Sequence, residues 1–549
     1  MKRVYRILVL VLILALTLAC TSIVGGERPP ANAVVIEVVG NTSLTAWLTA
    51  AARDFNAARI KLSDDRPAYV TLQSVEAGQE IVDIASGSAA PDLWIPDTPV
   101  WVDVLAEKGK SDFQGDCGSV AQSPLVIAVW QPIAEALGWP GRSLGWLDFG
   151  SLAADTSAWL YYSGGQFGDT FRLGHTHPGL SSTGADTLLA VVQAASLKQE
   201  AVSEADIQQP ITQASVIAFE SSVTLFSSAT DSLGSTMRQR GVGYLGAAIV
   251  YESTVVQYGQ GDLNFVPIYP FEGTFLATFP ACVNSTSGAE QQEAARLFRD
   301  YLTGVDGQRQ AIASGLRPVN PAVPAAAPLD EAHGVDLSQP EVIFDSPSPG
   351  TLFAVQELWM TARKDLNLVM VLDTSGSMEG TKIENVRMAA IQFVEQMGED
   401  DYLSLIVFNN ETNLRFEHVQ VGPNRQFITD EIRQLSAGGS TPLYDAIADS
   451  AAIIAGTSSS QTTNAMVVLT DGLDTSSSHH QFNHELISIA VANDTTIFTI
   501  AYGSDADEDL LAQLASQANG SFFLGTDASI AAIYAEMSTA FGGNLGIGR

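Results

Sequence analysis

The sequence predicts an α/β protein built from two domains, the second a doubly wound and mostly parallel sheet. Three observations carry that expectation. The chain has 549 residues, whereas a single hydrophobic core rarely grows past about 250–300. A strand, a turn and a helix follow one another at once in AVVIEVVG (33–40) and NTSLTAWLTAAARDFNAA (41–58), which is how a parallel sheet begins. Beyond residue 365, five fully apolar strands alternate with helices, and strands of that kind must be covered on both faces.

Composition narrows the function. Acidic side chains number 61 and basic ones 27, a net charge of −34. A nucleic-acid surface needs clustered Lys and Arg that this chain lacks, so nucleic acid is excluded as a partner. With 46% hydrophobic residues, 8 Trp, 13 Tyr and 23 Phe, the chain can bury a large core and is not disordered. The leader MKRVYRILVLVLILALTLAC (1–20) sets Lys2, Arg3 and Arg6 before an apolar run. That run of about 15 residues is shorter than the ~20 a bilayer span needs and suits a secretory signal. Thr17-Leu18-Ala19-Cys20 resembles a bacterial lipobox, which implies export, lipid modification at Cys20, and anchorage to the membrane at the cell surface or periplasmic face. Residues 21–32 are read as a tether. Cys117 and Cys282 are the other two cysteines, and in an exported chain they are candidates for one disulfide.

In the first domain, 33–345, further strands are expected at 69–75, 90–95, 123–129 and 158–162, with helices at 79–87, 100–107, 187–195 and 290–302. Residues 317–350 are rich in Pro and Ala and short of periodic apolar positions, the composition of a connector. A bridging helix, TLFAVQELWMTARK, makes 346–365 the link between domains. From 366 the pattern sharpens. Strand LNLVMVLD (366–373), helix KIENVRMAAIQFVEQM, strand YLSLIVF and edge strand TNLRFEHV are followed by helices NRQFITDEIRQL and LYDAIADSAAIIA. Strand AMVVLTDG, helix HELISIAVAN, strand TTIFTIAYG, helix DEDLLAQLASQAN, short strand SFFLG and a last helix, IAAIYAEMSTAF, complete it.

Ligands of an open α/β sheet sit beyond the carboxyl ends of its strands. Asp373 ends the strand 366–373 in D-T-S-G-S, with Ser375 and Ser377 on the same tight loop. Asp471 ends another strand in LTDG, and Thr441 lies in the glycine-rich GGSTPLYDA before a helix. Two carboxylates and three hydroxyls thus meet at one edge. An oxygen-only set suits a hard divalent cation, Mg²⁺ first, with Mn²⁺ or Ca²⁺ as alternatives. Catalysis is not expected, because no His or Cys adjoins Ser375 or Ser377 as an activating base. His480 and His484 in SSSHHQFNHE would share one helix face and make a second, weaker metal candidate. His175 and His177 in LGHTHPGL alternate as in an extended segment.

On these residues, 366–549 resembles a von Willebrand factor A domain, and D-x-S-x-S, Thr441 and Asp471 match that family's metal-ion-dependent adhesion site at all five positions. The resemblance implies that Ser375, Ser377 and Thr441 hold the ion closely, while Asp373 and Asp471 act largely through bound water. It also implies an open position that accepts an acidic side chain from a partner protein. Residues 366–549 carry 23 Asp and Glu against 6 Lys and Arg, so an acidic partner needs the ion to offset that field.

Residues 33–345 resemble bacterial extracellular solute-binding proteins of the two-lobed, molybdate-binding-like type. The pieces that carry this are VVGNTSLTAWLTAAARDFN, AAPDLWIPDTPVWVDVL, AQSPLVIAVWQP, HTHPGLSSTGADTLLAVV and GAAIVYEST. The family fold implies two α/β lobes, a hinge crossed twice and ligand in the cleft. Asn41-Thr42-Ser43 and Ser181-Ser182-Thr183 each precede a helix, where free amides and hydroxyls can hold an anion without Lys. Asp97, Ser123 and Tyr251 match cleft-facing places. The expected function is metal-dependent adhesion or complex assembly, coupled to a module for a small molecule or oxyanion. The alternative is solute capture for an ABC-type transporter, with the second domain only docking.

Overall fold

The computed structural model describes residues 28–459 and 461–545; the leader, Cys20 and the expected tether up to residue 27 lie outside the described residues. The strands of the first domain are β1 (Val34–Gly40), β2 (Ala68–Ser74), β3 (Leu93–Ile95), β4 (Cys117–Ser119), β5 (Ser123–Trp130), β6 (Leu173–Thr176), β7 (Phe226–Ser227), β8 (Ala247–Tyr251), β9 (Phe265–Ile268), β10 (Leu276–Ala277) and β11 (Pro280–Val283). They form one sheet in the order β2-β1-β3-β11-β4 and a second in the order β10-β5-β8-β6-β7, with β9 also on β5. The chain passes between the sheets at 120–122 and again at 278–279. This is the two-lobed, twice-crossed arrangement. β1 buries Val34, Ile36, Val38 and Val39, and the helix Thr45–Ala58 packs Trp47, Leu48, Ala51, Ala52 and Phe55 against the core at helical spacing.

Cys117 in β4 and Cys282 in β11 are directly paired across the antiparallel ladder and joined by a disulfide. The segment 158–162 is not a strand but lies within the helix Thr156–Ser163. Its ends decide this. The Asp155 carboxylate accepts the N–H groups of Ser157 and Ala158, and Gly164 closes the helix in a left-handed conformation, which outweighs the strand preference of the Tyr pair.

Residues 317–350 are not a loose connector. Arg317 exchanges backbone hydrogen bonds with Gln122 at the hinge, Val323, Leu329 and Val335 cluster with Ile312, and Phe344 packs edge-on against Phe275. The segment straps both lobes with scattered anchors, which leave no period in the sequence.

The second domain contains β12 (Asp365–Asp373), β13 (Tyr402–Phe408), β14 (Thr412–Gln420), β15 (Thr462–Thr470), β16 (Thr496–Tyr502) and β17 (Phe522–Gly525). They lie in the order β14-β13-β12-β15-β16-β17, all parallel except the antiparallel edge strand β14. Along β12, Leu366, Leu368, Met370 and Leu372 enter one core layer while Val369 and Val371 enter the other. That period of two explains why the strand is apolar throughout.

Candidate metal centre and ligand cleft

The central strands β12 and β15 are neighbours in register, Leu372 opposite Leu469, so the loops leaving their carboxyl ends lie side by side. Asp373 is buried. One carboxylate oxygen accepts the Ser375 N–H at 2.7 Å and the other accepts the Thr470 hydroxyl at 2.6 Å. Ser375 and Ser377 bring their hydroxyls to 3.0 Å, and Ser377 donates to Asp471 Oδ1 at 2.6 Å. The third loop is stitched to the first by two backbone bonds, Gly376 N–H to Gly439 O at 3.0 Å and Gly438 N–H to Thr374 O at 2.8 Å. Gly439 takes a positive φ of 98°, open to glycine at little cost. Thr441 follows, its backbone tied to Thr475 beyond Asp471 in both directions.

Asp373, Ser375, Thr441 and Asp471 are buried, whereas Gly376 and Ser377 are exposed. The cluster therefore opens to solvent on one side. Burial pushes the Asp373 carboxyl above its ordinary range, and the hydrogen bonds from Thr470 and Ser375 partly offset this. An all-oxygen set with two buried carboxylates is the donor chemistry a hard divalent cation takes. One cation of the chain is already there: Lys382, in the first turn of the helix Thr381–Gln396, pairs with Asp471 Oδ2. Sequence reasoning missed Lys382, although a Lys five positions after Ser377, on the helix the loop feeds, falls within reach of the same edge.

The second metal candidate does not form. Asn483 caps a helix that begins only at His484, so His480 lies in the preceding loop, where its Nδ1 is 3.2 Å from Asp445. His175 and His177 are fully buried. His175 Nε2 meets Glu220 at 2.8 Å, and His177 Nε2 donates to Gly543 O at 2.8 Å while its Nδ1 accepts the Gly179 N–H. Burial lowers His177 to about 4, consistent with a neutral ring in these two bonds.

The predicted cleft residues do converge between the lobes, and all are buried or half-buried. Asp97 accepts Ser182 Oγ at 2.5 Å and Tyr251 OH at 2.8 Å. Ser181, Thr183 and Thr230 form a hydroxyl cluster, and Ser123 Oγ accepts the Ser253 N–H at 3.1 Å. Asn41 Oδ1 is taken up by Ser43, through its N–H and its hydroxyl. Asn41 Nδ2 and Thr42 Oγ1 both donate to Glu76, a residue not foreseen. Glu76 follows β2, so the rule that located Asp373, a carboxylate just past a strand's carboxyl end, applies to it equally. Burial and then the nearby Asp97 push Glu76 up to about 7, and burial with Asp97 holds Asp186 well above its usual range.

The family model for bacterial extracellular solute-binding proteins matches residues 36–317, more than half of the sequence. The chain belongs to that family. This solute-binding protein also carries a von Willebrand factor type A domain, matched over 367–536. Among relatives, the uncharacterized protein sll0103 of Synechocystis sp. (strain ATCC 27184 / PCC 6803 / Kazusa) is 32% identical over 162 residues, 29% of this chain and 37% of that protein. The chain thus spans well under half of that relative's length. Among solved structures, the sulfate-binding protein SubI from Mycobacterium tuberculosis H37Rv is 20% identical, with 55% of this chain and 92% of that chain covered at a TM-score of 0.40. A von Willebrand factor type A structure from Catenulispora acidiphila is 19% identical, covering 32% and 42% at a TM-score of 0.30.

Proposed function

We propose that this solute-binding protein is exported, lipid-anchored at Cys20, and captures a protein partner through a divalent cation at its von Willebrand A domain. The observation that carries the reading is the convergence of Asp373, Ser375, Ser377, Thr441 and Asp471 from three loops onto one solvent-open edge. Ser375, Ser377 and Thr441 would hold the ion directly, and Asp373 and Asp471 would orient its water. The cation, Mg²⁺ by the hardness of the donors, supplies the positive charge against which a partner's carboxylate docks. The serine hydroxyls are engaged with one another and with Asp471, a carboxylate that is also paired with Lys382 and that this reading assigns to the ion's water, which favours binding over catalysis.

The test is affinity capture from the native membrane with and without EDTA. Asp373→Ala should abolish Mg²⁺-dependent capture while leaving the circular dichroism spectrum and export unchanged. Undiminished capture by the variant would overturn the proposal. A primary role in solute uptake is less favoured, because the groups expected to face a solute are already bonded to one another across the lobes.

A further inference from the structure

We infer that the cleft of the first domain carries its own resident ligand, the Glu76 carboxylate, which occupies the anion position and holds the two lobes shut. This inference is independent of the metal site.

Glu76 stands on the first lobe, immediately before the helix Ala77–Ser86. Its carboxylate collects three donors of the kind an oxyanion would use. Two come from its own lobe, Asn41 Nδ2 at 3.2 Å and Thr42 Oγ1. The third comes from the other lobe, the Thr230 backbone N–H at 2.9 Å. The Thr230 amide is the first of the helix Thr230–Arg240, and an N-terminal amide pointing at a negative group is the usual anion contact. The carboxylate is thus coordinated from both sides of the cleft, as a captured solute would be. Glu76 is only 3% exposed.

Adjacent contacts close the same seam. Gly78 N–H donates to Leu180 O at 2.9 Å, and a Cβ at Gly78 would lie 2.8 Å from two carbonyl oxygens of the opposite lobe. Asp97 bridges to Ser182 and Tyr251, and Trp101 Nε1 donates to Ser182 Oγ at 2.5 Å. A free oxyanion would have to displace Glu76 and then make its contacts beside the Asp97 carboxyl, which already takes the Ser182 and Tyr251 hydroxyls. The family's solute-capture geometry is therefore retained as an internal clasp, and small oxyanions are shut out of the wild-type chain.

The experiment uses the full chain and thermal unfolding with sulfate, phosphate, molybdate, formate and acetate at millimolar concentration, with chloride as the ionic-strength control. The wild type should show no anion-specific rise in Tm; a rise with any of the oxyanions would overturn the inference. Glu76→Ala vacates the position, so formate or acetate should restore lost stability where chloride does not, and an indifferent Glu76→Ala would overturn it as well. Should that variant fail to fold, Glu76→Gln keeps the volume and weakens the clasp. Hydrogen exchange at the Thr230 amide should then quicken at least ten-fold over wild type, and unchanged protection would refute the role.

Discussion

At the scale of single residues, the decisive feature of the metal edge is the pair Lys382 and Asp471. A buried carboxylate held by a tethered ammonium is partly neutralised before any ion arrives. Lys382 is about one-third exposed, so its attraction is screened and modest, on the order of 1 kcal/mol. Lys382→Gln should accordingly tighten Mg²⁺ binding roughly two- to five-fold, read by isothermal titration. An affinity that stays the same or falls would mean that Lys382 acts in some other way. Asp373 was legible beforehand because a carboxylate just past a buried strand has few reasons to be there other than a ligand or a cap. Lys382 is less so, because its place five residues after Ser377 puts it near the edge but its partner lies 89 positions away and only packing names it.

At the scale of elements, the ends of segments carried more information than their interiors. Strands β12, β13, β15 and β16 are readable because each is buried on both faces, and the edge strand β14 because apolar Leu414 and Phe416 alternate with polar Asn413, Arg415 and Glu417 in its sequence. The helix at Thr156–Ser163 was misread because its aromatic interior speaks for a strand while its Asp155 cap and Gly164 stop speak for a helix. The disulfide belongs to this scale too. It links β4 to β11 across a sequence separation of 165, beside the second hinge crossing. Replacing Cys117 and Cys282 together by Ser should cost about 2–5 kcal/mol. The first thermal transition should fall while the second domain's transition is unmoved. A loss shared equally by both would show that the two domains unfold as one unit.

For the whole molecule, the bridging helix Pro349–Ala362 joins the domains through buried chemistry. Trp359 packs edge-on against His177 and Phe226 and donates to Glu220 at 3.2 Å. One residue past the helix, Arg363 forms a buried two-pronged pair with Asp401 of the second domain, 3.0 Å at each prong. Asp401 also accepts the N–H groups of Leu366 and Gly398. Just past the last helix, Ile530–Ala540, Gly543 O accepts a hydrogen bond from His177 Nε2 of the first domain. Arg363→Ala would strand a buried carboxylate, with an expected loss of about 3–5 kcal/mol measurable by denaturant unfolding. A loss below about 1 kcal/mol, the range of an exposed pair, would show that the junction is solvated and the domains move freely.

The sequence alone determined the two-domain α/β class, the run of buried strands, and the convergence of two carboxylates and three hydroxyls at one sheet edge, because period and strand ends are local properties of the chain. Only the tertiary structure decided which charges meet there and in the cleft. Lys382 finds Asp471, Glu76 reaches Thr230 over 154 positions, and His177 meets Gly543 over 366. Those contacts exist because packing brings distant segments together in a low-dielectric interior, where a polar group must find a partner, and no pattern in the sequence names which partner that will be.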